Sequence, residues 1–323
     1  MIDFDLPKGL IAQEPAHPRD SARLLVYSRA NKTITDTVFS DLPTFLAKDT
    51  TLVVNNSKVE NCRWLFDDGK TEIFVIEKLD THTIRALVRP GKKFKLGQNS
   101  KINEWLEVTT TAIDSDGIRT LKLNIQHDDD RLTKIEHIPL PPYIAQNDKL
   151  AEEYQTIYAK PLGSKAAPTA GLHFTDKLLD KIKTNNDVLE VTLHVGLGTF
   201  ASLQPENYKT GKLHAETYEI TPETARKLEK AVHITSVGTT TTRTLESWNK
   251  SGKSSGSTDI FIQPGYKFQK VDSMITNFHL PGTSLLLMIE AFIGSEFEAQ
   301  RIYDHAIAQK YRFYSFGDAM LIV

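Results

Sequence analysis

The sequence predicts an α/β main domain with an inserted, small antiparallel all-β domain of barrel-like form. Three observations carry that expectation. From Leu52 the run "LVVNNSKV" has the look of a buried strand that ends in a polar turn. Between about Asn61 and Tyr143 the texture changes to short β-branched runs punctuated by Gly69, Gly91, Gly97 and Gly117. Beyond that stretch, helical and strand-like pieces alternate, the pattern of an α/β layer. The expected organisation is residues 1–60 and 146–323 as one discontinuous α/β domain, with 61–145 inserted as the β domain.

Each element has its own justification. "DLPTFLA" is helix-like, and its Pro43 suits a first turn, where no amide donor is needed. "TEIFVIEKL", "HTIRALV", "WLEVTTTAI" and "RTLKLNIQ" follow as short strands with no convincing helix among them, as in a small antiparallel sheet or barrel. The three prolines of "HIPLPPYI" stiffen the exit from that module. "DKLLDKIKT", "VLEVTLHV", "TARKLEKAV", "ITSVGTT" and "SLLLMIEAFI" then supply the alternation. "NKSGKSSGST" at 249–258 is expected to be a flexible surface loop, and the chain has no internal repeat.

Composition bounds the function. With 323 residues, 40% of them hydrophobic, the chain can bury a core and has the length of about two domains. The formal charge of -2 gives no global attraction to nucleic acid, so any polyanion site must be a local patch. A single cysteine, Cys62, excludes an intramolecular disulfide and a Cys-based zinc cluster, which fits a reducing compartment. "MIDFDLPKGL" lacks the basic-then-apolar pattern of a leader, and no run approaches the ~20 apolar residues of a membrane span. A soluble, cytoplasmic protein is expected.

Several motifs could carry chemistry. "HVGLGTFA" places Gly196, Gly198 and Ala201 in a dinucleotide-binding spacing, but Pro205 and Gly211 in the following "SLQPENYKTG" oppose the long helix that motif needs. "SVGTTTTRT" resembles a phosphate loop without its second glycine and lysine; Thr239 to Thr242 could bind an anion at a helix start, or simply start the helix. His173, His194, His214 and His279 stand in loop or strand-end contexts suited to proton transfer or to structural hydrogen bonds, and no pair has helical metal-ligand spacing. From Arg85 to Lys101, "RALVRPGKKFKLGQNSK" holds six basic residues and no acidic one: a candidate phosphate-backbone track, or a solvated face. "KYRFYSFGDAM" interleaves basic and aromatic residues, as a base-stacking surface or a strand packed in the core would. These residues imply an enzyme with an anionic or nucleotide-like ligand.

Taken together, "DFDLPKGLIAQEP", "LVVNNSKV", "PLPPYI", "AAPTAGLHFT", "TLHVGLGTF", "VGTTTTRTLES", "FIQPGYKF", "ITNFHLPGTSLLLM" and "YRFYSFGDAMLI" resemble, in order and over nearly the whole chain, the S-adenosylmethionine:tRNA ribosyltransferase-isomerase family of queuosine biosynthesis. Departures fall at Lys165, Leu213 and Gly282. The resemblance implies transfer and isomerisation of the donor's ribosyl group onto 7-aminomethyl-7-deazaguanine at the tRNA wobble position, with adenine and methionine released. S-adenosylmethionine would be a substrate, with no prosthetic group, no metal and no obligate protein partner, in a monomer. It further implies His173, His194, His279 and Glu216 as catalytic candidates. Thr169, Gly171, Phe174, Gly196, Gly198, Thr199, Thr239, Thr240, Arg243 and Asn277 are the substrate-binding candidates. Arg89, Lys92, Lys93, Lys95 and Arg312 are the candidates for the tRNA. In this reading "APTAGLHFT" is a wall of the donor pocket, and the glycines of "HVGLGTF" let backbone approach the ligand.

Overall fold

A computed structural model describes residues 2–141, 143–144, 147, 149–196, 198 and 203–323, and within it the chain divides into two units. One comprises Met1–Val59, Pro141–Ala145 and Glu152–Val323; the other comprises Glu60–Leu140 and Gln146–Ala151.

The first unit is built, among the described residues, on nine paired strands: β1 (Arg23–Ser28), β2 (Thr33–Val38), β3 (Thr50–Asn55), β4 (Asp187–Leu193), β5 (Lys212–Glu219), β6 (His233–Val237), β7 (Ser255–Ile260), β8 (Ser273–Asn277) and β9 (Ala319–Ile322). Their order across the sheet is β7-β5-β4-β3-β6-β8-β9-β1-β2. Strands β4, β3, β6 and β8 run parallel to one another. The flanks are mixed: β5 and β7 pair antiparallel on one side, while on the other β9 is antiparallel to β8 and parallel to β1. A parallel sheet must be covered on both faces, and the sequence meets that demand: every residue of β3, β8 and β9 is buried. Alternate residues go to opposite faces. Leu25, Tyr27 and Val53 join a core with Leu245, Leu286 and Ile302, whereas Leu24, Val26, Leu52 and Val54 join one with Phe39, Phe174 and Leu178.

The helices of this unit are α1 (Asp176–Lys183), α2 (Pro205–Thr210), α3 (Pro222–Lys230), α4 (Thr239–Ser251), α5 (Ser284–Ile293) and α6 (Glu296–Ala308). Thr175, Thr221, Thr283 and Ser295 cap α1, α3, α5 and α6 by accepting a first-turn amide. Helix α4 starts differently. Its N-cap is Gly238 at φ 88°, with no side chain closing the first turn.

Beneath that helix start lies Asn55, fully buried at the carboxyl end of β3. Its Nδ2 donates to Leu193 O (3.0 Å) and Thr240 Oγ1 (3.3 Å), and its Oδ1 accepts from Leu193 N (3.0 Å) and Ser57 N (3.1 Å). One amide therefore ties β3, β4 and α4 together with its bonding capacity filled.

The second unit carries an antiparallel sheet of seven strands among the described residues, in the order Glu136–His137, Arg63–Phe66, Thr71–Asp80, Thr83–Arg89, Arg119–Leu123, Glu107–Ile113, Asn99–Lys101. Burial alternates along Arg63–Phe66 and the first half of Thr71–Asp80, which places Trp64, Phe66, Ile73 and Val75 in one core with Ile84, Val108 and Leu121.

Two expectations need correction. "DLPTFLA" forms only a 3-10 turn, Phe39–Thr44, with Pro43 inside it. The Gly/Ser-rich run at 249–258 is the end of α4 followed by edge strand β7, because pairing with β5 supplies the order that its composition does not. The dinucleotide reading, opposed in the sequence by Pro205 and Gly211, is opposed by topology as well: β4 is followed by the six-residue α2 and then by antiparallel β5, so no parallel crossover forms. Among the described residues, no helix is long and apolar enough to cross a membrane.

Replacing Asn55 with Ala strands the Leu193 amide and carbonyl in a dry interior. Unfolding free energy from urea titration should fall by about 2–4 kcal/mol. A change under about 0.5 kcal/mol would remove Asn55 from this structural role.

Candidate functional site

In open α/β sheets, ligands bind in the crevice beyond the carboxyl ends of the parallel strands. Here that crevice is a cavity of about 210 Å³. Its walls come from Ala166–Ala170, from Gly238–Thr240 at the start of α4, from Thr276, Asn277 and His279 after β8, and from Tyr143, Tyr314 and Ser315. Alanine, proline, valine and leucine side chains make much of the surface, and no charged side chain lines it among the described residues. The polar groups sit at edges.

Asn277 organises one edge. Its Oδ1 accepts from Thr169 Oγ1 (3.1 Å) and its Nδ2 donates to Tyr314 O (3.1 Å). The same Nδ2 lies 3.3 Å from His173 Nε2, which must therefore accept, leaving the proton on Nδ1. His173 is buried behind the cavity wall, packed on Phe39 with ring centroids 4.9 Å apart. Burial pushes its pKa down to about 3, with the charges of Arg312 and Arg19 adding to the effect. His279 lines the cavity itself; its Nε2 is 2.8 Å from Thr276 Oγ1, and burial lowers its pKa to about 4. Both imidazoles are neutral at pH 7.

The other edge is the start of α4. Thr241, Thr242 and Thr244 turn their hydroxyls back onto the carbonyls of Val237, Gly238 and Thr240, so of the threonine run only Thr239 and Thr240 face the cavity. These two also line a smaller chamber with Gly198, His214, Arg243 and Met288. Arg243 is buried and paired through Nη1 with Glu216, whose other oxygen accepts from Gly196 N (2.8 Å). Its Nε has no hydrogen-bond partner among the described residues.

The remaining candidates separate from the cavity. Phe174 is a core residue, edge-on to Phe39 and Tyr158. Gly171 is required by packing against protein: a Cβ there would stand 2.1 Å from Tyr158 Oη. Gly198 likewise gives way to His214, which a Cβ would meet at 2.6 Å, while a Cβ on Gly196 would make only ordinary contacts. His194 packs against Gly163 and does not line the cavity. Arg312 is held by Asp318 and by Glu14 O. Thr199 lies outside the described residues. His173, His194 and His279 do not converge with any acid or thiol into a metal-binding cluster among the described residues. Of the departures, Leu213 lines the smaller chamber and Gly282 takes φ 75°, a conformation that suits glycine in the turn before Thr283.

Tyr143, Ser315 and Thr276 were not among the sequence candidates, and Tyr314 entered only within the run read as a base-stacking surface or a packed strand. The aromatic spacing near the C-terminus was the available signal for Tyr314. In the second unit, the basic run is less bare than it looked. Arg89 pairs with Glu72 (3.2 Å), Lys93 with Asp67 (3.6 Å), and Arg85 with Glu77 and Asp114; Lys92 and Lys95 are exposed.

Comparison with known proteins is consistent along the chain. A model of the family described as "Queuosine biosynthesis protein" matches residues 1–322. The S-adenosylmethionine:tRNA ribosyltransferase-isomerase of Thermotoga petrophila is 45% identical over 335 residues, covering 100% of this chain and 98% of that protein. The protein of the same name from Symbiobacterium thermophilum is 41% identical over 337 residues, with the same coverage. The crystal structure of S-adenosylmethionine tRNA ribosyltransferase from Thermotoga maritima matches with a TM-score of 0.58 and 36% identity over 99% of each chain.

The buried state of His173 has a pH signature. Its folded pKa lies below the ordinary 6.5, so the unfolded chain takes a proton that the folded chain refuses, and stability present above pH 6.5 is lost as pH falls toward about 3. The contribution changes by at most about 1.4 kcal/mol per pH unit. Urea unfolding of His173→Gln should therefore depend less on pH between 6.5 and 4 than that of the unmodified protein. Parallel curves would remove His173 from the acid response.

Proposed function

The chain belongs to the queuosine biosynthesis protein family, and on that premise we infer that it transfers and isomerises the ribosyl moiety of S-adenosylmethionine onto 7-aminomethyl-7-deazaguanine at the tRNA wobble position, giving epoxyqueuosine with release of adenine and methionine. S-adenosylmethionine is consumed as a substrate. The observation that supports placing the donor in the first unit is the cavity at the carboxyl ends of the parallel strands, flanked by an uncapped helix start.

The residues divide by what the chemistry asks of them. The donor's carboxylate needs hydrogen-bond donors, and the first-turn amides of α4, with Thr239, Thr240 and Arg243 Nε, offer them. A cavity of about 210 Å³ is smaller than the ~300–1,000 Å³ of common ligand pockets, so it takes a ring and its sugar, with the amino-acid end directed past Thr239 and Thr240. The sulfonium acidifies the adjoining ribose carbon. His279, neutral and at the cavity wall, is the proton acceptor for that carbon, oriented through Thr276. His173 is a positioning residue acting through Asn277, and Glu216 positions Arg243. The second unit, whose main span is Glu60–Leu140 rather than 61–145, serves as an inserted tRNA-facing domain, with exposed Lys92 and Lys95 on the phosphate backbone and Arg89 and Lys93 muted by their acidic partners. The chain acts as a monomer in the cytoplasm.

Adenine release tests the reaction. With S-adenosylmethionine present, tRNA carrying 7-aminomethyl-7-deazaguanine should yield adenine, and the same tRNA carrying guanine should not. Absence of release with both, while tRNA still binds, would refute the ribosyl-transfer reading. The lysines are tested separately. Lys92→Ala with Lys95→Ala should flatten the log–log dependence of tRNA affinity on salt by about one to two units, and Lys93→Ala should flatten it less. An unchanged slope in the double variant would return the run to a solvated face.

A further inference from the structure

Tyr314 takes φ 73°, the left-handed region that a bulky aromatic residue avoids. The conformation is held from both sides. Tyr314 N donates to Phe278 O (3.2 Å), and Tyr314 O accepts from Gly317 N (3.0 Å) and from Asn277 Nδ2 (3.1 Å). Three residues on, the same turn does use glycine where space demands it: a Cβ on Gly317 would lie 2.5 Å from Arg312 O. A glycine at 314 would satisfy the backbone without strain, so the ring is what the position retains.

That ring is half-buried in the cavity wall and rests on Tyr143, with centroids 3.9 Å apart and planes at 36°. Tyr143 is anchored in turn, its hydroxyl 2.5 Å from Ser315 Oγ. Around the pair the cavity offers apolar surfaces from Pro168, Ala170, Leu280 and Leu285, with hydrogen-bonding groups of Thr169 and Asn277 at the edge. Apolar faces and a polar rim are the complement of a flat heteroaromatic ring.

We propose that the Tyr143–Tyr314 pair is the stacking face of this cavity and takes a purine-type ring. Two rings share that chemistry, the adenine of the donor and the deazaguanine of the tRNA. Naming those two sources rests on the ribosyl-transfer reading; the stacking face itself rests on the geometry.

The experiment uses Tyr314→Gly, which relieves the backbone and removes the ring, Tyr314→Phe, which keeps the ring, and Tyr143→Leu. Equilibrium binding of S-adenosylmethionine alone, and of an anticodon stem–loop bearing 7-aminomethyl-7-deazaguanine alone, is measured for each beside the thermal midpoint. Tyr314→Gly and Tyr143→Leu should stay folded and weaken one of the two ligands by about tenfold to a hundredfold, the value of one base–aromatic stack. Tyr314→Phe should recover most of that loss. Loss confined to S-adenosylmethionine identifies adenine as the stacked ring; loss confined to the modified stem–loop, with a guanine stem–loop unaffected, identifies the deazaguanine. Unchanged binding of both ligands to folded Tyr143→Leu overturns the proposal, whatever the fate of Tyr314→Gly. Because binding is read without turnover, failure of the unmodified protein to release adenine would sink the reaction and leave this comparison intact.

Discussion

The carboxyl end of a central parallel strand is an awkward place in a fold, because backbone groups of the departing chain lose their ladder partners just where a site must open. Asn55 resolves that conflict with one amide: it pairs both backbone groups of Leu193, holds the turn at Ser57 and reaches Thr240. Helix α4 is fixed again further along, where the buried Glu246 accepts from Tyr266 Oη (2.9 Å) and from the amides of Gln269, Lys270 and Val271. With two independent anchors, α4 does not need a side-chain cap. Its first turn is left open toward the cavity, and the positive end of the helix dipole with it.

The Arg243–Glu216 pair belongs to the same arrangement. A buried ion pair is weak evidence for stability, since desolvation of both groups offsets most of their attraction. What this pair does is geometric: Glu216 holds the Gly196 amide with one oxygen and Arg243 with the other, which fixes Arg243 in the wall of the smaller chamber. The positive charge of Arg243 is balanced before any ligand arrives.

How much of this was legible in the sequence depended on the range of the interaction. The buried strand at Leu52–Asn55 and the α/β alternation were readable, because each is written in consecutive residues. The neutralisation of the basic run was not, because Glu72 reaches Arg89 only through the antiparallel register that sets those two residues opposite each other. Gly171 and Gly198 were readable as close approaches, but whether a ligand or a side chain fills the space is decided by Tyr158 and His214 from elsewhere in the chain. The pairing of Tyr143 with Tyr314 was hidden for the same reason, since nothing in "PLPPYI" points to a partner in "YRFYSFGDAM". The Gly/Ser-rich run at 249–258 misled because edge-strand order comes from the neighbouring strand, not from propensity.

The cavity's lack of charge bears on the proposed chemistry. A carboxylate against the donor's sulfonium would stabilise the cation and so oppose loss of a proton from the adjoining carbon. An apolar wall does not: moving the cation out of water disfavours its charged form, and on proton transfer the positive charge passes to the accepting imidazole. The same desolvation keeps His279 and His173 neutral, so in the proposed reaction no imidazolium would repel the donor's cation and His279 would meet it unprotonated. In that proposal the weak basicity that burial imposes on His279 would be matched by the acidity that the same burial imposes on the donor. In the proposed reaction one environment would adjust both partners of the proton transfer, so that a cavity with no charged side chain among its described lining residues would still serve acid–base chemistry.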